Sequence, residues 1–110
     1  MLKVHIGRTD LQVNPIGLGA NAVGGHNIYD HIDEIISKKM ILTAINNGMN
    51  FIDTAYFYGL GRSEEIIGEV MKEHGKRDDF VIASKASYTF VDNKVVHNNN
   101  PQFLKKSVED

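Results

Sequence analysis

The sequence predicts an α/β protein in which parallel βαβ units follow an N-terminal β-hairpin. Three observations support this. Short apolar runs alternate with longer stretches whose apolar residues recur every four positions. The later runs are almost unbroken in apolar residues, as in strands covered on both faces. Glycines at 48 and 75 fall where the helical stretches should stop. Strands alternating with helices imply a parallel sheet with right-handed crossovers. Such a sheet buries its strands under helices on both faces or by closing into a barrel.

The elements follow in order. "LKVHI" and "LQVN" flank "GRTD", two short runs about a Gly/Asp turn, and read as the hairpin. "PIGLGA" is the first parallel strand, with Pro15 at its entrance, where a strand tolerates proline. "NAVGGHNIYD" reads as a glycine-rich loop. From about Asp33 to Asn47, Ile36, Met40 and Ala44 stand at four-residue steps with Ile41 and Ile45 beside them, which predicts one apolar helix face. "NFID" is the next strand. "SEEIIGEVMKEHG" predicts a second helix, with Ser63 as N-cap, Glu64 and Glu65 in the first turn and Gly75 as terminator. "DFVIASK" is the third core strand, and "ASYTFVDNKVVHNNN" a polar excursion. A last helix over "PQFLKKSVED" is predicted from Asn100 as cap and Pro101 in the first position.

With 110 residues the chain is at most one domain. It is 42% hydrophobic and 24% charged with a formal net charge of −2, so nothing drives binding to a phosphate backbone, and nucleic acid is not an expected partner. The first residues lack the apolar core of a signal peptide, and no window approaches a membrane span. The absence of cysteine removes disulfides and thiolate metal sites and suits a cytoplasmic setting. His5, His26, His31, His74 and His97 show no ligand spacing and read as surface or loop residues, so no metal is expected.

"GLGANA" fits a dinucleotide fingerprint through Gly17, Gly19 and Ala22. That motif needs a helix to begin at once. Here the helical pattern starts some ten residues later, so a strand end that needs small residues is the better reading.

The chemistry concentrates at the ends of the later strands. Asp53 ends one, Tyr58 lies in the loop after it, and Lys85 closes the next. Adjacent parallel strands set their ends side by side, so the three can converge. A free tyrosine, with a pKa near ~10, exchanges its proton slowly at neutral pH. A lysine ammonium nearby favours the phenolate, and an aspartate holds the lysine charged and oriented. On spacing alone, a plain ion pair across strand ends with Tyr58 packed over it is the better reading of the same residues.

"FIDTAYFYGLGRSEEIIGE" resembles the signature of the aldo-keto reductases, and "VIASK" the strand carrying that family's catalytic lysine. "LQVNPIGLGANAVGGHN" is similar to the entry into the first barrel strand, and "NNNPQFLKKSVED" to the opening of the third helix. Among members, the chain most resembles bacterial proteins grouped with inositol-catabolism oxidoreductases. The resemblance implies the N-terminal hairpin, first three strands and two to three helices of a (β/α)8 TIM barrel, with residues 1–110 as its N-terminal part. It implies reduction of a small-molecule aldehyde or ketone by NADP(H), with Tyr58 as proton donor, Lys85 lowering its pKa and Asp53 paired with Lys85. Ala20, Asn21 and Asp53 match positions at the nicotinamide end of the coenzyme site; many relatives carry threonine where this chain has Ala20.

A whole barrel of this type takes roughly 250 residues. The family's catalytic histidine follows a later strand and has no counterpart here; His97 lies in the excursion before the third helix. A truncated fragment of this kind is expected to be inactive alone. Its open strand edges suggest the alternative of a self-associating or complementing, non-enzymatic module.

Overall fold

The computed structural model describes residues 2–74 and 76–110; the expected terminator Gly75 lies outside them. Strands β1 (Val4–His5) and β2 (Gln12–Val13) form the predicted antiparallel hairpin. β3 (Leu18–Gly19), β4 (Phe51–Asp53) and β5 (Val81–Ala83) form one parallel sheet in that order, in register Leu18↔Ile52↔Ile82 and Gly19↔Asp53↔Ala83. Among the described residues no further strand pairs with β3 or β5, so both edges stay open and the barrel is not closed.

Between β3 and β4 lie a single helical turn, α1 (Asn21–Gly24), and α2 (Glu34–Asn46). The turn corrects the loop predicted there, because four residues are too few to show a period in sequence. α2 begins at Asp33, whose carboxylate accepts from the Ile35 and Ile36 N–H groups, and stops at Gly48 with φ +88°. Its predicted apolar face holds for Ile41 and Ile45 but is centred one residue off. The buried row is Ser37, Ile41 and Ile45, whereas Ile36 and Met40 are 63% and 39% exposed. Two adjacent rows satisfy the four-residue period, and packing against α3 (Arg62–His74) selects the row next to Glu34 and Lys38.

α3 also starts earlier than predicted. Ser63 is not its cap but lies inside the first turn, fully buried, its hydroxyl donating to the Ala20 carbonyl at 2.7 Å. The orphan amides of that turn are met by backbone instead: Arg62 N–H donates to Gly59 O and Ser63 N–H to Tyr58 O. From here Ile66, Ile67, Val70 and Met71 join Ile41, Ile45 and Ile52 in the core between helices and sheet. Burying each such side chain stabilises the fold by about 1.5–3 kcal/mol.

Asn50 ties the hairpin to the sheet. Its Nδ2 donates to Gln12 O and its Oδ1 accepts from the buried Asn14 N–H, both at 2.9 Å. Its own carbonyl accepts from Val81 N–H, so one residue links β2, β4 and β5.

A short 3-10 turn (Arg77–Asp79) leads into β5. The predicted excursion is in fact a second hairpin, β6 (Tyr88–Val91) and β7 (Lys94–His97), turning at Asp92 and Asn93. Both turn residues take left-handed φ, +50° and +63°, which Asp and Asn tolerate. His5, His74 and His97 therefore stand in regular elements rather than loops, and all five histidines are exposed. α4 (Pro101–Glu109) begins as predicted, with Asn100 capping the Gln102 N–H and Pro101 in its first turn. It buries no residue. The radius of gyration, 14.8 Å, exceeds the about 13 Å of a compact chain this size, as an open sheet with an outlying helix requires. No helix among the described residues is long and apolar enough to cross a membrane.

Candidate active site at the strand ends

The parallel ladder runs past the ends of the strands. Ala20 N–H donates to Asp53 O, Thr54 N–H to Ala83 O, and Tyr56 N–H to Lys85 O, at 2.9, 2.8 and 3.0 Å. That register carries Lys85, two residues beyond β5, up beside Asp53. Lys85 Nζ donates to Asp53 Oδ1 and to Thr54 O, both at 2.7 Å. It also stands over the Tyr58 ring, 5.5 Å from the centroid, within cation–π range. The three predicted residues therefore lie together.

They lie in the open. The Lys85 and Asp53 side chains are 49% and 51% exposed. Recesses of about 530 Å³ between α3 and β5 and about 610 Å³ beneath the N-terminal hairpin lie elsewhere, and neither is lined by Asp53, Tyr58 or Lys85. The site is a surface at the strand ends.

Of the positions expected to border a coenzyme, Ala20 is fully buried, its amide and carbonyl both hydrogen bonded. Asn21 is half-buried, and its Nδ2 donates to Tyr29 Oη at 2.7 Å. Thr54 Oγ1 donates to Ser63 Oγ, which donates to Ala20 O, a chain of hydroxyls tying the ends of β3 and β4 to α3.

The Tyr58 loop is shaped by three consecutive residues of positive φ: Gly59, Leu60 and Gly61. A methyl on Gly59 would collide with the Gly24 carbonyl oxygen, and one on Gly24 would meet Ser63 N at 2.7 Å. Close backbone approach accounts for these two glycines, as it does for small residues elsewhere.

Sequence reasoning missed three supports of this loop. Asn27 bonds to backbone on both sides of Tyr58. Phe57 stacks on Phe90 with centroids 5.6 Å apart and leans on Tyr88 at 6.0 Å, so the β6–β7 hairpin flanks the loop. Arg62, which follows the loop, grips Glu34 in a two-pronged pair at 2.6 and 2.9 Å and also reaches Glu65 and Glu69. Those hydrogen bonds, with one from His26, hold the Glu34 carboxyl down at about 2 and push the Arg62 guanidinium up. Lys38 extends the network to Glu69, and the pairing raises the one and lowers the other. No local pattern marks such partners; only the "YTFV", "DN", "KVVH" order could have revealed the hairpin.

The family description "Aldo/keto reductase family" matches residues 15–110. An aldo-keto reductase of Bacillus subtilis is 38% identical over 94% of this chain and 31% of its own length. An NADH-specific methylglyoxal reductase of Escherichia coli is 37% identical over 77% of this chain and 26% of its own. Among solved structures, a glycerol dehydrogenase of Gluconobacter oxydans superimposes with a TM-score of 0.81 at 32% identity, covering 97% of this chain and 33% of that one. The chain thus spans about a third or less of the length of the relatives it matches.

Proposed function

The chain belongs to the aldo/keto reductase family, and from that premise we propose that it carries the proton-donating half of a carbonyl-reduction site. The reaction is reduction of an aldehyde or ketone, with NADPH as coenzyme by likeness to the family. The observation that carries the proposal is the Lys85 ammonium, hydrogen bonded to Asp53 at 2.7 Å while standing over the Tyr58 ring.

The residues fit the nicotinamide end of such a coenzyme. Gly19, at the end of β3, is exposed, and a side chain there would meet only Asn21 Oδ1, at 3.9 Å. Asn21 and Asp53 would be the polar groups that hold that end, beside Gly19 and the buried Ala20. When bound, the coenzyme supplies the hydride. Tyr58 gives its hydroxyl proton to the oxygen of the reduced carbonyl, Lys85 stabilises the phenolate left behind, and Asp53 keeps Lys85 charged and aimed. Cytoplasm, where the reduced coenzyme is available, is the proposed setting.

The test is a chimera in which residues 1–110 replace the matching segment of the Bacillus subtilis relative. With methylglyoxal, substrate-dependent loss of NADPH absorbance is expected, falling by roughly 10²–10⁴ in Tyr58→Phe, the usual worth of a general acid. The 110 residues alone, with the pair half exposed, are expected to show none. A Tyr58→Phe chimera as fast as its parent would overturn the proposal. A second reading, a self-associating module, is favoured by exposed Ile36 and Met40 and by the open strand edges. An inactive chimera together with concentration-dependent mass of the 110-residue chain would favour it.

A further inference from the structure

We infer that Asn27 is a positioning residue for Tyr58. Its carboxamide spans the two peptide groups on either side of that tyrosine: Nδ2 donates to Phe57 O at 2.9 Å, and Oδ1 accepts from Gly59 N–H at 2.6 Å. One planar amide with one donor and one acceptor matches a carbonyl and an N–H two residues apart. No other side chain of this length offers both. Aspartate keeps only the acceptor, and alanine keeps neither.

The clamp is itself held. Asn27 sits in a turn in which Ile28 N–H and Tyr29 N–H both donate to Gly25 O, and His26 N–H donates to Gly24 O. The same Gly24 carbonyl lies so close to Gly59 that no side chain fits between them. The turn after α1 and the Tyr58 loop are therefore joined along their length, by backbone packing at one point and by the Asn27 amide at two. With the peptides before and after Tyr58 pinned, the direction of its side chain toward Lys85 is set from a segment 31 residues earlier in the chain. The functional meaning of the clamp rests on the reading of Tyr58 as proton donor; its existence does not.

NMR on the 110-residue chain tests it through two probes. One is the exchange rate of the Gly59 amide. The other is the displacement of the Lys85 ε-methylene resonance by the Tyr58 ring, which a merely structural contact at Asn27 would leave alone. In Asn27→Ala, Gly59 is expected to exchange about tenfold faster, since Asn27 is exposed and water competes for its hydrogen bonds. The Lys85 resonance is expected to move back toward its free position while the Ile52 and Ile66 amides stay protected. Either probe unchanged overturns the inference. Should Asn27→Ala also lose core protection, Asn27→Asp decides: it is expected to keep Gly59 protected and lose part of the Lys85 displacement, and a spectrum identical to wild type sinks the idea. Tyr58→Phe retains a ring over Lys85 and so retains both probes. Intact probes with reduction insensitive to Tyr58→Phe would defeat the proton-donor reading alone. Absent probes with reduction that does need Tyr58 would defeat the clamp alone.

Discussion

Replacing Glu34 by glutamine isolates one charge in the network that anchors the front of α3, directly after the Tyr58 loop. Glu34 meets Arg62 through two hydrogen bonds and His26 through one, and Lys38 joins by way of Glu69. The Arg62 bonds, then that of His26, lower its carboxyl from 4.5 to about 2. A carboxyl lowered by folding adds stability that is fully present above its unfolded value and is lost as pH falls through the folded one. The window therefore runs from 4.5 down to about 2. At about 1.4 kcal/mol per unit, the ceiling is about 3.4 kcal/mol. The side chain is 32% exposed, and ion pairs open to water deliver a fraction of such a ceiling, here about 1–1.5 kcal/mol. Urea unfolding of wild type and Glu34→Gln, followed by circular dichroism across this range, reads the difference directly. The variant is expected to be less stable at neutral pH by that amount, with the gap closing through the window. A gap that persists below the window, or none at neutral pH, would refute the assignment of the shift to this pair.

The remaining predictions concern the backbone that carries the site. Gly59→Ala is expected to lower the melting temperature more than Gly61→Ala. Both positions have positive φ, a strain of order 1–3 kcal/mol for alanine, but only the methyl at 59 strikes backbone, while that at 61 meets the Tyr56 ring at 3.5 Å. Equal losses would count against the close approach to Gly24. Asn50→Ala deprives the buried Asn14 N–H and the Gln12 carbonyl of their partner, with an expected cost of about 2–3 kcal/mol in denaturant unfolding. Its amide-exchange signature should be loss of protection at Asn14, with the Lys85–Asp53 end unchanged; an unaltered Asn14 amide would contradict it.

What was legible in the sequence was local or periodic. The Asn100–Pro101 start and the Gly48 stop are short-range chemistry, and both stand where the residues place them. The meeting of Asp53 and Lys85 was legible because parallel register sets strand ends side by side. The centre of the α2 face was not, because the fully apolar row Ile36–Met40–Ala44 reads as the better one in sequence, and packing against α3 buries the neighbouring row of Ser37, Ile41 and Ile45 instead. Ser63 looked like a cap because serine before two glutamates usually is one; tertiary contact with Ala20 claimed its hydroxyl instead. Asn27 and Glu34 find their partners 28 to 32 residues away, and no spacing rule reaches that far.

Proximity alone does not separate a strand-end ion pair from a reductase site, since both need the 2.7 Å contact seen here. Water does. Two charges some 4 Å apart interact by about 1 kcal/mol in bulk water and about 4 kcal/mol at a protein surface. At half exposure Lys85 and Asp53 sit toward the weaker end of that range. Strand alternation puts Asp53 on the same face as Phe51, opposite the helices that bury Ile52, and both side chains on that face are reached by water. The ledge of Phe57, Tyr88 and Phe90 walls one side of the Tyr58 loop. Closing the remaining sides would strengthen the hold of Asp53 on Lys85, and of Lys85 on a Tyr58 phenolate, without moving any of the three. Under the proposed reading, the rate this group supports is expected to scale with how much water is excluded from it, and Asn27 to matter most where that exclusion leaves Tyr58 no freedom to correct its aim.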